Sequence, residues 1–283
     1  MARPMDRNPR SASGDWFVDT RCIDCGSCRH VAPGLLVERA GHSVFDRQPS
    51  SADAERVWQA AEVCPTQSIG TISRLRPPER VFPRELAPGI FLCGYNSPDS
   101  YGANSWLVQR PDGNLLVDSP RFTRRLREPI AELGGIAAIL LTHRDDVADA
   151  EQWAAEFGAT VTIHRDDRSA APFASDVVEG LEPVEVRPGV TVVPVPGHTR
   201  GSVLYLVDDT WLFTGDSLAW SQESHDLYAF EDACWYSWPE QQRSLARAAA
   251  FRFEQIFPGH GSWSPRLPAD EQHARLVALT DRM

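Results

Sequence analysis

The chain has 283 residues, of which 42% are hydrophobic and 24% are charged, so its composition is that of a globular protein with one large domain or two ordinary ones. Its 28 basic and 39 acidic residues give a net charge of −11, which argues against nucleic acid or an anionic membrane surface as a partner. Every basic residue is an arginine, so phosphate loops and catalysis that depend on lysine are excluded. The amino terminus lacks a secretory signal, and no apolar run reaches the ~18 residues of a membrane span, so we expect a cytoplasmic protein.

Four segments differ in character along the chain. Residues 1–14 are polar and predict a disordered tail. Residues 15–75 carry four of the six cysteines and form the first predicted domain. Residues 76–84 contain three prolines, which prevent a helix and indicate a linker. Residues 85–283 form the second predicted domain.

Strand and helix signals alternate through the second predicted domain. Short apolar runs bounded by turn residues predict strands, and longer periodic stretches predict helices over 148–158, 239–253 and 270–283. Gly158 closes the first of these helices, and Pro239 lies in the first turn of the second. In chain order, the predicted strands are 90–94, 105–109, 114–120, 137–143, 160–164, 190–198, 202–209, 211–217 and 256–261.

Four cysteines in the first predicted domain have the spacing of iron–sulfur ligands. Cys22, Cys25 and Cys28 form a C-x2-C-x2-C run, and Cys64 follows at a distance with Pro65 directly after it. Three close thiolates with a remote Cys-Pro are the ligand set of a cubane cluster. The alternative is a four-cysteine zinc site, which usually pairs two C-x2-C knuckles. The pattern resembles the single-cluster bacterial ferredoxins, which implies one [4Fe–4S] cluster.

Histidines and carboxylates end several predicted strands of the second domain. When neighbouring buried strands each end with such a residue, these side chains converge on one site. Imidazole and carboxylate groups together are suitable ligands for zinc, iron or manganese. The alternative is a former metal site that no longer binds a metal ion. The candidates are His143, Asp145, His198, Asp216 and His260, with Asp118 at a further strand end.

The order of these residues resembles the metallo-β-lactamase superfamily over 85–283. The resemblance implies an α+β two-domain protein, with a small ferredoxin-like domain followed by a four-layered αββα sandwich. It also implies that Asp118 supports the loops of the site. The family motif H-x-H-x-D-H is degenerate here, because Val147 and Ala148 occupy its Asp-His positions in a gapless alignment.

The resemblance divides the candidate ligands between two metal positions. The first position would be held by His143, Asp145, His198 and a bridging Asp216. The second would keep His260 and Asp216, with Asp149 as a third ligand if two extra residues are allowed. We therefore expect one tightly held divalent ion, zinc or iron, and a weak or absent second.

Three functions are compatible with this combination. The first is metal-dependent hydrolysis of a small-molecule thioester, lactone or ester, with Asp145, Asp146 or Asp149 accepting a proton. The second is an iron-dependent oxidoreductase that receives electrons through the cluster from a redox partner, a reductase or an oxygenase. The third is a non-catalytic protein that senses redox state or carries electrons.

Overall fold

The computed structural model describes residues 2–283, which divide into two compact units. The first unit runs up to Asn114 and includes Pro120–Gly135. The second unit comprises Leu115–Ser119 and Ile136–Met283. This division follows packing within the chain, and the domain boundaries drawn from composition stay a prediction. Within 2–283, no helix combines the length and the apolarity needed to cross a membrane.

The first unit contains three groups of short antiparallel strands and three α-helices. Strand β1 pairs with β4, β2 pairs with β3, and β5, β6 and β7 form an antiparallel series. The elements are β1 (Trp16–Val18), α1 (Ser27–Val31), β2 (Leu36–Glu38), β3 (Ser43–Phe45), α2 (Ala54–Val63), β4 (Ile69–Thr71), β5 (Arg84–Ala87), β6 (Ile90–Leu92), β7 (Trp106–Val108) and α3 (Arg124–Glu132).

Helix α2 positions the last cysteine of the first unit. Val57, Ala60 and Val63 recur at helical spacing on one face, and all three are buried. A helix with such an apolar stripe packs that face inward, which fixes the point at which its last turn ends. Cys64 follows directly as the C-terminal cap and is itself buried. The sequence prediction contained no helix here.

The segment predicted as a disordered tail is ordered over residues 2–14. It forms a short 3-10 turn at Pro4–Asp6, and the backbone N–H of Asn8 donates to the carbonyl of Val18 at 2.8 Å. The side chain of Asp19 accepts a hydrogen bond from the N–H of Arg3 at 2.8 Å. The composition predicted disorder because the segment has few apolar residues, whereas in the structure polar hydrogen bonds connect it to the first strand.

The second unit contains two sheets. Strands β8, β9, β10 and β11 are parallel neighbours, and the other sheet has the order β12-β13-β14-β15-β18, with only β15 and β18 parallel. Strands β16 and β17 form a hairpin. The elements are β8 (Leu115–Val117), β9 (Ala138–Leu140), α4 (Ala150–Phe157), β10 (Thr160–His164), β11 (Asp176–Val178), β12 (Val184–Arg187), β13 (Val190–Pro194), β14 (Val203–Val207), β15 (Trp211–Gly215), β16 (Ala219–Ser221), β17 (Asp226–Tyr228), α5 (Trp238–Ala248), β18 (Gln255–Pro258) and α6 (Ala269–Arg282).

The predicted elements of the second unit correspond to observed ones, with one notable difference in length. Helix α5 ends at Ala248, whereas the periodic pattern predicted a helix as far as residue 253. The chain leaves the helix because Phe253 is fully buried in the apolar core beside Leu276 and Ile256. Tertiary burial of one aromatic ring therefore overrides the local helix preference. The mixture of sheets and helices confirms the predicted α+β class.

Candidate metal centre and cysteine pocket

The four predicted cluster ligands line one small pocket of the first unit. Cys28 and Cys64 are buried, Cys22 and Cys25 are partly exposed, and all four are free thiols. Burial raises the pKa of Cys25 to about 11, so this sulfur becomes a thiolate at neutral pH only if a positive charge compensates it. Cluster iron supplies such a charge. The four-cysteine set therefore fits a [4Fe–4S] group.

Backbone and hydroxyl donors surround the sulfurs. The N–H of Ser68 lies 3.2 Å from Sγ of Cys64, and the N–H of Ser43 lies 3.4 Å from Sγ of Cys22. Hydrogen bonds to thiolate sulfur stabilise its negative charge. The pocket thus contains donors that suit ligated sulfur, which the cysteine spacing alone did not reveal.

A turn that connects β6 and β7 covers the cysteine loop. The hydroxyl of Ser27 donates to the carbonyl of Gly102 at 2.6 Å, and the hydroxyl of Tyr101 donates to the carbonyl of Ile23. A Cβ atom on Gly102 would lie 2.9 Å from Sγ of Cys25, so only glycine fits this approach without a shift. The sequence analysis missed this contact because it joins residues more than seventy positions apart.

In the second unit, His143, His198 and Asp216 form a group in which one ligand atom from each lies within 4.8 Å of the others. Nε2 of each imidazole is 3.7 Å from Oδ2 of Asp216. The two rings are perpendicular, with centroids 4.7 Å apart. Within residues 2–283, neither Nε2 atom has a hydrogen-bond partner, although both are buried. Two orphaned nitrogens beside a carboxylate fit a divalent metal ion.

The other nitrogen of each imidazole is held by a partner. Nδ1 of His143 lies 2.9 Å from the hydroxyl of Thr142, which is in turn 2.9 Å and 3.0 Å from the two carboxylate oxygens of Asp118. Nδ1 of His198 lies 2.6 Å from the carbonyl of Ala233. When Nδ1 donates its proton, Nε2 carries the lone pair that binds a metal. Asp118 therefore holds Thr142 and, through it, His143, whereas the resemblance implied a role in supporting the loops.

The electrostatics of this group favour a cation. Burial lowers the pKa of His143 to about 4, so its imidazole is neutral at pH 7. Burial opposes the charged form of His198, but the carboxylates of Asp145 and Asp216 outweigh it and raise the pKa of His198. Burial likewise opposes ionisation of Asp216, yet His260, His143 and His198 hold the pKa of Asp216 below its usual range. The carboxylates thus create a negative electrostatic potential at the point where the imidazoles converge.

A second group shares Asp216 and adds Asp146 and His260, again with ligand atoms within 4.8 Å of one another. Nε2 of His260 is 3.8 Å from Oδ2 of Asp216. Burial, together with the nearby charge of Asp216, raises the pKa of Asp146 well above its usual range. A Cβ atom on Gly259 would meet carboxylate oxygens of Asp216 and Asp146 at 2.7 Å and 2.8 Å, so glycine keeps this space open. Two adjacent buried carboxylates fit a second cation.

The other two acidic candidates, Asp145 and Asp149, belong to neither group of potential ligands, and they differ in their distance from the imidazoles. Oδ2 of Asp145 is 3.3 Å from Nε2 of His198 and 4.0 Å from Nε2 of His143, and its side chain is 43% exposed. Asp149 precedes helix α4, and its carboxylate lies 3.5 Å from the side-chain amide of Gln152. The structure therefore brings Asp145 and Asp146 to the site, and Asp149 is in neither group of potential ligands.

Asp146 replaces Asp149 as the acid of the second group because of the local turn. Residues Arg144–Asp146 form a 3-10 turn directly after His143. Such a turn advances the chain by about 120° per residue, so successive side chains diverge in direction. Asp145 consequently stays at the surface while Asp146 is only 1% exposed. The sequence does contain a signal for the burial of Asp146. The apolar residue Val147 follows the acidic pair, which indicates that the chain turns towards the core at this point.

An aromatic segment borders the site. The N–H groups of Trp235 and Tyr236 donate to the carbonyl of His198 at 3.0 Å and 3.1 Å. Trp235 is 63% exposed and its ring centroid is 6.0 Å from that of His198. The guanidinium of Arg200 lies over the ring of Tyr236, 5.2 Å from its centroid. A solvent-exposed aromatic surface with one cation therefore lies next to His198, one of the candidate ligands.

Comparison with known families agrees with this arrangement. A sequence model of the metallo-beta-lactamase superfamily matches residues 91–264, more than half of the chain, and the chain belongs to that superfamily. A second model, the 4Fe-4S single cluster domain of Ferredoxin I, matches residues 18–71. Both predicted resemblances are thus confirmed. Together the two matches imply an iron–sulfur cluster and a divalent metal ion as cofactors.

Curated relatives match parts of the chain. Hydroxyacylglutathione hydrolase of Acidiphilium cryptum is 29% identical over 117 residues, which span 40% of this chain and 48% of that protein. Beta-lactamase-like protein 2 homolog of Drosophila melanogaster is 24% identical over 204 residues, which span 61% of this chain and 63% of that protein. The chain therefore spans less than two thirds of the length of these relatives.

Solved structures show the same fold. The metallo beta lactamase from Hirschia baltica superposes with a TM-score of 0.51 at 20% identity, covering 70% of this chain and 96% of that one. The metallo-beta-lactamase family protein TTHA1429 from Thermus thermophilus superposes with a TM-score of 0.50 at 21% identity, covering 70% and 80% of the two chains. At this identity the likeness concerns the fold.

Proposed function

We propose that the chain is a metal-dependent hydrolase of thioesters, lactones or related esters. The observation that carries the proposal is the pair of buried Nε2 atoms of His143 and His198, which lack hydrogen-bond partners within residues 2–283 and converge with Asp216. The relative from Acidiphilium cryptum is named a hydrolase of hydroxyacylglutathione, which supports a thioester as the first substrate to test.

His143, His198 and Asp216 would hold the ion of the first position, and Asp146, Asp216 and His260 that of the second. A divalent ion bound there would supply Lewis-acid chemistry for the hydrolysis of a carbonyl ester. Asp145 would serve as a proton acceptor, because its carboxylate is partly exposed and lies 3.3 Å from Nε2 of His198. The neighbouring imidazole of His198 holds the pKa of Asp145 below its usual range, so this carboxylate is an anion at neutral pH.

The aromatic segment gives the substrate a binding surface. The exposed ring of Trp235 and the half-exposed ring of Tyr236 offer apolar area to an acyl group. Arg200 beside Tyr236 supplies a positive charge for a carboxylate on the leaving group. This favours substrates that combine an apolar acyl part with an anionic thiol or alcohol part.

Turnover of a glutathione thioester and of an aliphatic lactone tests the hydrolase. The protein is purified anaerobically, its zinc and iron are measured, and hydrolysis is followed by thiol release or by acid production. We expect replacement of His198 by alanine to abolish turnover, and replacement of His42, a half-buried histidine in the first unit, to leave it unchanged. Equal turnover by His198→Ala and the unaltered protein would overturn the proposal.

Metal content separates the hydrolase from the second candidate, an iron-dependent oxidoreductase. The four-cysteine pocket in the same chain favours this candidate, because hydrolysis requires no electrons. About four irons with one or two zinc ions would support the hydrolase. Five or six irons without zinc would support the oxidoreductase, with a reductase or an oxygenase as partner. Four irons and no other metal would contradict both.

Reoxidation kinetics test the oxidoreductase directly. If the cluster feeds electrons to iron at the histidine site, the reduced cluster is reoxidised by O₂ or substrate faster in the unaltered protein than in His143→Ala. Equal rates would exclude this candidate. The six free cysteines also support a reducing compartment, the cytoplasm, for either activity.

A further inference from the structure

A cavity of about 780 Å³ lies in the first unit, away from the metal centre. Helix α2, strand β4, the segment 74–77 and the start of helix α3 contribute to its walls. All of its lining residues belong to this unit. Cavities of 300–1,000 Å³ are the usual size of small-molecule sites. Nothing in the proposed hydrolysis uses this space.

The charge of the cavity wall is opposite to that of the chain. Four arginines line it, against a single carboxylate, Glu62, in a protein of net charge −11. Glu62 is already paired with Arg125 at 2.9 Å. Nε of Arg121 donates to a backbone carbonyl at 3.0 Å, which fixes this side chain without neutralising it. Arg74 and Arg76 have no carboxylate partner among residues 2–283. Three uncompensated guanidinium groups therefore face one space, an arrangement that recognises anions.

A buried hydroxyl in the same wall lacks a partner. Tyr95 is 3% exposed, and in the part of the chain from residue 2 onward its hydroxyl meets no hydrogen-bond partner. Burial raises the pKa of Tyr95 to about 12, so the hydroxyl keeps its proton at neutral pH. The charged groups that act on this hydroxyl are Glu62, Arg125 and Arg121, all of which line the cavity. An unpaired buried donor is unfavourable, and an acceptor in the cavity would give this hydroxyl a partner.

The beginning of helix α3 adds a second orphaned group. Thr123 is the N-terminal cap residue of this nine-residue helix and makes no side-chain capping bond. Its hydroxyl is buried without a partner in the described chain. A helix N-terminus carries partial positive charge, which acts in the same direction as the arginines.

The remaining wall is apolar and adjoins the cysteine pocket. Trp58 offers an aromatic surface, and Ile69 lines both this cavity and the pocket of the four cysteines. We propose that the cavity binds a phosphate-bearing small molecule of mononucleotide size, whose phosphate lies among Arg74, Arg76 and Arg121 and accepts a hydrogen bond from Tyr95. The planar part of such a ligand would lie along Trp58.

Binding is tested with ligand pairs that differ only in the phosphate. Isothermal titration of the holoprotein, with its cluster and metal loaded, compares FMN with riboflavin and AMP with adenosine. We expect at least one phosphorylated member to bind about tenfold or more tightly than its partner, and inorganic phosphate to compete with it. No binding by either phosphorylated probe, or equal binding within both pairs, would overturn the proposal.

Variants locate the site. The double variant Arg74→Gln/Arg76→Gln and the single variant Tyr95→Phe should each weaken phosphate-dependent binding by about tenfold. The matched control is Arg10→Gln/Arg168→Gln, which removes two exposed arginines outside the cavity and should bind like the unaltered protein. Iron content and cluster absorption verify that each variant is folded. Unchanged binding in both cavity variants would show that the ligand lies elsewhere and would contradict the proposal.

Discussion

The hydroxyl of Thr142 lies 2.9 Å from Nδ1 of His143, directly between this imidazole and the buried carboxylate of Asp118. Asp118 also accepts the backbone N–H of Thr142 at 2.8 Å, so both the rotamer of Thr142 and its hydroxyl proton are fixed. With that proton directed to Asp118, the hydroxyl oxygen accepts from Nδ1. The chain thus selects the tautomer that leaves Nε2 of His143 available to a metal.

Removal of the Thr142 hydroxyl should weaken metal binding without removing a ligand. Thr142→Val keeps the shape of the side chain but cannot orient His143, and we expect metal affinity to fall by about 10–100-fold. Competition with a chromophoric chelator measures the change. Thr142→Ser retains the hydroxyl and should stay within a few-fold of the unaltered protein. Equal affinities in Thr142→Val and Thr142→Ser would contradict the role assigned to the hydroxyl.

Asp146 and Asp149 should differ in their effect on metal content. Asp146 belongs to the second ligand group, whereas Asp149 does not. If the second position is occupied, Asp146→Asn should lose about one metal ion per chain, and Asp149→Asn should lose none. Metal analysis of both variants beside the unaltered protein checks this. If only Asp149→Asn lost metal, Asp149 would be the third ligand of the second position, as the alignment with two extra residues assumes.

Gly102 should be essential for the environment of the cluster. Its φ is +85°, and an added Cβ would contact Sγ of Cys25 at 2.9 Å and Cγ of Pro65 at 3.0 Å. We expect Gly102→Ala to lose cluster absorption faster in air, because the turn must shift away from the cysteine loop. Gly34→Ala is the matched control, since Gly34 has a φ of +74° but no atom within 4 Å of the added Cβ. If the two variants lost cluster absorption at similar rates, the cause would be the strain of a positive φ and not the contact between Gly102 and Cys25.

Asp53 should stabilise the first unit in a pH-dependent manner. Its carboxylate accepts hydrogen bonds from Arg47, Arg56 and Ser50. The bond from Arg47 is the main reason that the pKa of Asp53 lies below its ordinary value of 3.8. A lowered pKa contributes stability above that ordinary value, and the contribution is lost as the pH falls below it.

Thermal unfolding of Asp53→Asn tests this expectation. The variant should melt at a lower temperature than the unaltered protein at pH 7, and the gap should narrow between pH 4 and pH 3. Asp46→Asn removes a half-exposed carboxylate and should have little effect at either pH. A gap that stays constant down to pH 3 would show that Asp53 stabilises the fold through shape and not through charge.

Local sequence patterns predict the four cysteines and most residues of the two candidate metal groups. Cys22, Cys25 and Cys28 are close in sequence, so their spacing alone indicates a loop around a cluster. His198, Asp216 and His260 each follow an apolar run, and the strand ends where apolar residues stop. Such signals are carried by a few neighbouring residues, and folding does not change them.

What the sequence determined, then, is the α+β class and the resemblance to two families, because each rests on residue type and short-range spacing. Tertiary structure decided which acid joins His260, since a single 3-10 turn buries Asp146 and leaves Asp145 exposed. It also decided that Gly102 closes over Cys25 and that four arginines from separate segments share one cavity. These relationships join residues distant in sequence, and no local pattern records a contact that only packing creates.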